Sequence, residues 1–105
     1  MVKIAACQVP EIREDISGAL SWIKTYSKKA EAFDVDLLCF PEYFLQGYLV
    51  EDGAARRHAL DLHSSKFESV LQRLGEVKPV LVLGMIEREC GIIYNTAVVI
   101  RTESW

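Results

Sequence analysis

The sequence predicts an α/β fold: a mixed β-sheet layered with helices, in the order β-α-β-α-β-β. Three observations carry this. Two apolar runs, residues 2–9 and 35–40, flank a segment whose apolar residues recur at helical spacing. A second helical pattern follows at 65–74. Two further apolar runs, 80–86 and 92–100, are separated by a short polar stretch ending in Gly91, which reads as a hairpin.

Residues 2–9 read as a buried strand, and Pro10 to Glu14 as a polar loop. Asp15 suits a helix N-cap, because its carboxylate can accept an orphan backbone N–H. Ile16, Leu20, Ile23, Ala30 and Phe33 fall on one helical face, and Trp22 beside it is expected in the core. Glu14, Lys24, Lys28 and Glu31 fall on the other side. Asp34 ends the helix and the strand 35–40 follows, making a βαβ unit with parallel strands and a right-handed crossover.

Residues 49–63 are less regular. Ala54 to Leu60 suits a short helix, and the stretch is expected to cover whatever pocket lies beside Glu42. Ser65-x-x-Glu68 has the form of a capping box. Phe67, Val70, Leu71 and Leu74 form the buried face of the next helix, and Gly75 suits its stop. Pro79 precedes the run 80–86. Glu87 to Gly91 reads as the turn into the strand 92–100, so the sheet is mixed.

The chain has 105 residues, half of them apolar, which suits one domain or part of one. A net charge of −3 with scattered basic residues, paired only at Lys28-Lys29 and Arg56-Arg57, argues against a nucleic-acid surface. No apolar run is long enough for a membrane span, and the N-terminus has no signal-peptide pattern. Three cysteines without CxxC spacing argue against a disulfide framework or a zinc site. The cytoplasm is the expected compartment. No cofactor or metal is expected. Pro10-Glu11 stands after the first strand, where a nucleotide site would need a Gly-rich loop. His58 and His63 lie five apart, off the spacing of a one-face metal pair, and read as surface residues.

The most informative stretch is Leu37-Leu38-Cys39-Phe40-Pro41-Glu42-Tyr43-Phe44-Leu45-Gln46-Gly47-Tyr48. Pro41 stops the strand, because it has no N–H to continue a ladder. Glu42 then stands at the carboxyl end of a parallel strand, where open α/β sheets place their ligand sites. Tyr43 and Tyr48 are candidates to line a substrate pocket beside it, with packing at the rim as the equal alternative. By position alone, the favoured reading of Glu42 is a strand-end carboxylate that faces solvent or caps a turn.

This segment resembles the first catalytic block of the nitrilase superfamily, the carbon–nitrogen hydrolases, through Phe40-Pro41-Glu42 and Gly47-Tyr48. Val2-Lys3-Ile4-Ala5-Ala6-Cys7-Gln8 resembles the family's opening strand, and Tyr94-Asn95-Thr96-Ala97 its Tyr-Asn-Ser/Thr-Ala segment. The resemblance implies a Glu-Lys-Cys triad that hydrolyses non-peptide C–N bonds of amides or nitriles, with Glu42 as general base. It also implies a structural role for Asn95 near that base; a cross-strand polar pair is the alternative.

Only the Glu of the triad maps onto this sequence. None of the six lysines (3, 24, 28, 29, 66 and 78) stands in the family's lysine context. Cys7 and Cys39 lie in apolar strands and read as small core residues, and Cys90 lies in the hairpin turn. Residues 1–105 therefore read as the N-terminal part of a carbon–nitrogen hydrolase domain, ahead of its lysine and cysteine blocks, and the chain alone is expected to be inactive. The family fold is an α-β-β-α sandwich, so the resemblance implies that this chain is one half of it, and the sheet face left uncovered predicts association, as a homo-oligomer or with a covering partner. Two other readings stand beside this one. The first is a non-catalytic remnant that acts as an interaction or oligomerisation module. The second is an unrelated α/β domain with a chance Phe-Pro-Glu.

Overall fold

A computed structural model describes residues 1–49 and 51–102. The elements run β1 (Ile4–Ala6), α1 (Ile16–Ala32), β2 (Leu37–Cys39), α2 (Asp52–His58), α3 (Ser65–Leu74), β3 (Val80–Glu89) and β4 (Ile92–Ile100). The strands form one sheet in the order β1-β2-β3-β4. β1, β2 and β3 are parallel, and β3 and β4 are antiparallel, so the sheet is mixed as the sequence predicts. Among the described residues no helix is long and apolar enough to cross a membrane.

The pleat divides the sheet into two different faces. Leu38, Leu81, Leu83, Met85 and Ile100 point into the core, where they meet Leu20 and Ile23 of α1 and Phe67, Val70 and Leu74 of α3. The opposite face carries Ile4, Ala6, Leu37, Cys39, Val80, Val82, Ala97 and Val99, which share it by register. Among the described residues no helix packs against it, and Ile4 (63%) and Val99 (67%) remain largely exposed. The result is one α/β layer with an uncovered apolar sheet face.

Local chemistry explains the element ends. Asp15 caps α1 by accepting from the Gly18 N–H at 2.9 Å. α3 is capped by Ser64, whose hydroxyl accepts from the Phe67 N–H, so the cap lies one residue before the Ser65 box read from the sequence. Gly75 at φ 64 ends α3. The hairpin turn is tighter than the sequence suggests. Glu87 to Glu89 stay in β3, and the turn is only Cys90-Gly91, both at positive φ. That conformation matches the right-handed twist of the flanking strands. β1 and β2 are shorter than the apolar runs that contain them.

Three residues expected inside are not. Trp22 is exposed and stacks on Tyr26, because it lies two positions, about 200°, round the helix from Leu20. Phe33 is 71% exposed, because it sits at the C-cap, past the last helical residue that the repeat can orient. Leu71 lies one position from Val70 and falls at the edge of the buried face. The segment after Tyr48 also differs from expectation. No described residue of 51–63 covers the cavity beside Glu42. Instead Leu60 bridges to β3: its N–H donates to the Ile86 carbonyl, and its carbonyl accepts from the Arg88 N–H.

Candidate functional site

Glu42 sits where β2 gives way to a tight turn. The Phe40 N–H still donates to the Val82 carbonyl at 2.9 Å, and then Pro41 ends the pairing. The chain folds back: the Phe44 N–H donates to the Pro41 carbonyl (3.1 Å), and the Gly47 N–H to the Tyr43 carbonyl (2.7 Å). Tyr43 lies at φ 57, a left-handed conformation that a bulky side chain rarely adopts. Such a backbone persists only where its surroundings hold it.

Three features hold it. The Leu45 N–H donates to the Gly84 carbonyl at 3.2 Å. The buried Gln46 side chain pairs with both backbone groups of Ile86, accepting from its N–H and donating to its carbonyl, each at 2.9 Å. Gln46 also donates to the His58 carbonyl at 3.1 Å, which ties the end of α2 to the same loop. Residues 40–46 thus pair with β3 beyond the end of β2. The third feature is Gly84. A Cβ there would stand 2.5 Å from the Pro41 carbonyl oxygen and 2.7 Å from the Tyr43 nitrogen, so the turn rests directly on bare backbone.

Gly84 pairs with Ala97, and Asn95 pairs with Ile86, so the turn and Asn95 share the uncovered face of the sheet. The Asn95 Nδ2 donates to Oε1 of Glu42. A strand-borne amide therefore orients the carboxylate. Asn95 makes no cross-strand polar pair with Ile86, which is apolar.

A cavity of about 210 Å³ lies at Glu42, with Val9, Glu11, Tyr43, Gly47 and Tyr48 in its wall. The two tyrosine rings contact each other, with centroids 5.3 Å apart. The structure thus brings Glu42, Tyr43 and Tyr48 to one place, as the sequence suggests. Burial, followed by the charge of Glu42 and the proximity of Tyr48, pushes the Tyr43 phenol above its ordinary range. Glu11 is a wall residue that the sequence does not flag. It accepts from Arg13 (2.9 Å) and from the Tyr48 N–H (2.8 Å). Those two bonds, Arg13 first, hold its carboxyl below the usual range. No sequence signal marks Glu11, whereas Gly84 inside an apolar strand is the signal of a close backbone approach.

None of the six lysines and none of the three cysteines lines this cavity. Cys7 packs against the core, Cys39 is half-buried on the uncovered face, and Cys90 is exposed in the hairpin turn. Burial, then the neighbouring Cys39, raises the Cys7 thiol above its ordinary value, which disfavours a thiolate there. His63 is exposed; His58 is half-buried and pairs with Glu14, with 3.2 Å between Nε2 and Oε1. Among the described residues no three His, Cys, Asp or Glu side chains gather to hold a metal ion.

A mixed sheet with helices on one face and a strand-end glutamate turned toward the other makes one α/β layer, consistent with the nitrilase-superfamily fold. The chain belongs to the carbon–nitrogen hydrolase family, whose sequence model matches residues 3–104. It is 30% identical over 99 residues to the glutamine-dependent NAD(+) synthetase of Mycobacterium tuberculosis, covering 94% of this chain and 15% of that protein. It is 35% identical over 72 residues to an (R)-stereoselective amidase of a Pseudomonas species, covering 69% of this chain and 26% of that one. Among solved structures, the glutamine-dependent NAD+ synthetase of Acinetobacter baumannii superposes with a TM-score of 0.77 at 25% identity, over 95% of this chain and 19% of that one. Nit3 of Saccharomyces cerevisiae, a member of branch 10 of the nitrilase superfamily, shares the fold with a TM-score of 0.73 at 22% identity, over 95% of this chain and 40% of that one. The chain thus spans 15% to 26% of the length of the curated relatives it matches.

Proposed function

We propose that residues 1–105 form the glutamate-bearing N-terminal part of a carbon–nitrogen hydrolase domain acting on a small amide or nitrile, with Glu42 as general base. The observation that carries this is the fixed carboxylate: Glu42 lies at a strand end, bonded to Asn95, beside a small cavity walled by Tyr43 and Tyr48. A carboxylate held in this way can take the proton of a thiol as the sulfur attacks the substrate carbon. It can then return that proton to the departing nitrogen. Water completes the cycle by cleaving the thioester.

The thiol and the oxyanion-stabilising lysine come, on this reading, from chain outside these 105 residues. The cavity wall supports this, since it contains neither residue type. The 105 residues alone are then inactive. The test compares this chain with a product extended along its reading frame, assayed for ammonia release from glutamine and from short aliphatic amides. The expected result is turnover by the extended product, lost on Glu42→Gln, and none by the 105 residues. Turnover by the short chain, or an active extended product indifferent to Glu42→Gln, overturns the reading.

A second reading, an interaction module, is favoured by the uncovered apolar face that exposes Ile4 and Val99. It predicts a stable homo-oligomer of the 105 residues that forms through this face. Sedimentation of the wild type against Val99→Lys distinguishes the two readings: a monomer in both samples removes the module. A cytoplasmic location accords with either reading.

A further inference from the structure

A second cavity, of about 240 Å³, opens between α1, the end of α2 and α3. It shares no lining residue with the cavity at Glu42. Its lining is chemically divided. Leu20 and Val70, both buried, supply an apolar floor. Arg57, Lys66 and Arg73 supply its charged side chains, His58 stands beside them in the wall, and no carboxylate among the described residues lines it. In a chain of net charge −3, that concentration of cations is a local reversal of sign.

These side chains are not equally engaged. His58 faces Glu14, with Nε2 and Oε1 3.2 Å apart. Arg73 donates to the Ser17 hydroxyl at 2.8 Å. Neither Arg57 nor Lys66 has a hydrogen-bond or ion-pair partner among the described residues. Two unpaired cations from different elements at the mouth of an apolar hollow make a site for an anion with an apolar tail. The volume is below that of typical drug-sized pockets, so the tail is short.

We propose that this cavity binds a small amphipathic organic anion, a carboxylate or phosphate monoester bearing a short aliphatic or ring group. Arg57 and Lys66 hold the anionic head, and Leu20 and Val70 contact the tail. The site lies in the helical layer, apart from the cavity at Glu42.

Calorimetric titration of the protein with hexanoate, hexyl phosphate, inorganic phosphate and hexanol tests this. Hexanoate or hexyl phosphate is expected to bind, with the better of the two marking which head group the site prefers. Inorganic phosphate and hexanol should each bind at least about tenfold more weakly, since each lacks half of the recognition. Lys66→Ala and Arg57→Ala should each weaken binding by about tenfold, the loss of one charge-assisted contact, with the thermal midpoint unchanged. Both side chains are exposed, so folding survives the change. Absence of binding by all four probes overturns the proposal. So does inorganic phosphate binding as tightly as the amphipaths, or amphipath binding indifferent to both substitutions.

Discussion

The side-chain amide of Asn95, on the last strand, donates to the carboxylate of Glu42, in the turn after the second strand. The two residues are 53 positions apart in sequence. The hairpin register brings them together: Asn95 lies opposite Ile86, and Ile86 is bonded to Gln46 of the Glu42 turn.

Asn95→Ala should therefore separate orientation from folding. Asn95 is exposed, so the change in unfolding free energy should stay within about 0.5 kcal/mol. In a catalytically complete form, kcat should fall by roughly tenfold, the scale of one lost charge-assisted bond. Urea denaturation and steady-state kinetics read the two effects. A large stability loss with unchanged kcat would assign Asn95 a structural role instead.

Gln46→Leu removes both bonds to Ile86 and leaves its buried N–H without a partner. The Ile86 carbonyl keeps its bond from the Leu60 N–H, so the cost falls on the Ile86 N–H and on the His58 carbonyl, which loses its bond from Gln46 as well. Destabilisation of roughly 1–3 kcal/mol is expected, measured as a lower urea midpoint at constant slope.

Gly84→Ala forces a methyl group onto backbone. The atoms it would meet belong to Pro41, Glu42 and Tyr43, none of them the free end of a flexible side chain. A loss of roughly 1–3 kcal/mol should accompany displacement of the Glu42 turn. Amide chemical-shift changes concentrated at 41–46 would verify the displacement; changes confined to the hairpin would refute it.

The Cys7 thiol, raised by burial and then by Cys39, contributes a pH dependence of definite sign. The folded chain holds the neutral thiol to higher pH than the unfolded chain does. This contribution to stability is fully present below the ordinary thiol value of 9.0 and is lost as pH rises through the folded value above it. At pH 8, iodoacetamide should label the exposed Cys90 first, with Cys7 slower by about tenfold or more. Equal labelling rates in the native protein would contradict the burial of Cys7.

Much of this protein is legible in its residue order, because local chemistry controls it. Asp15 and Gly75 mark helix ends by their capping chemistry, and the apolar runs mark strands through the pleat. Phe40-Pro41-Glu42 marks a strand that stops at an acid. The errors arise where a local rule has to share control. Trp22 and Leu71 lie beside buried positions, and helix rotation carries them out of the core. Ser64 displaces Ser65 as cap by one residue. The pairing of Leu60 with β3 draws the segment after Tyr48 away from the cavity it was expected to cover.

The site divides in the same way. Glu42, Tyr43 and Tyr48 are visible in sequence because they cluster within one turn. The groups that hold that turn come from β3, β4 and the loop before α1: Gly84, Ile86, Asn95 and Glu11. No spacing links these positions to Glu42, since long-range register places them and packing against the sheet sets that register. The residue order therefore settles which acid stands at the strand end. The direction in which its carboxylate points is a property of the assembled sheet, because the hydrogen bond that aims it crosses between segments that meet only on folding.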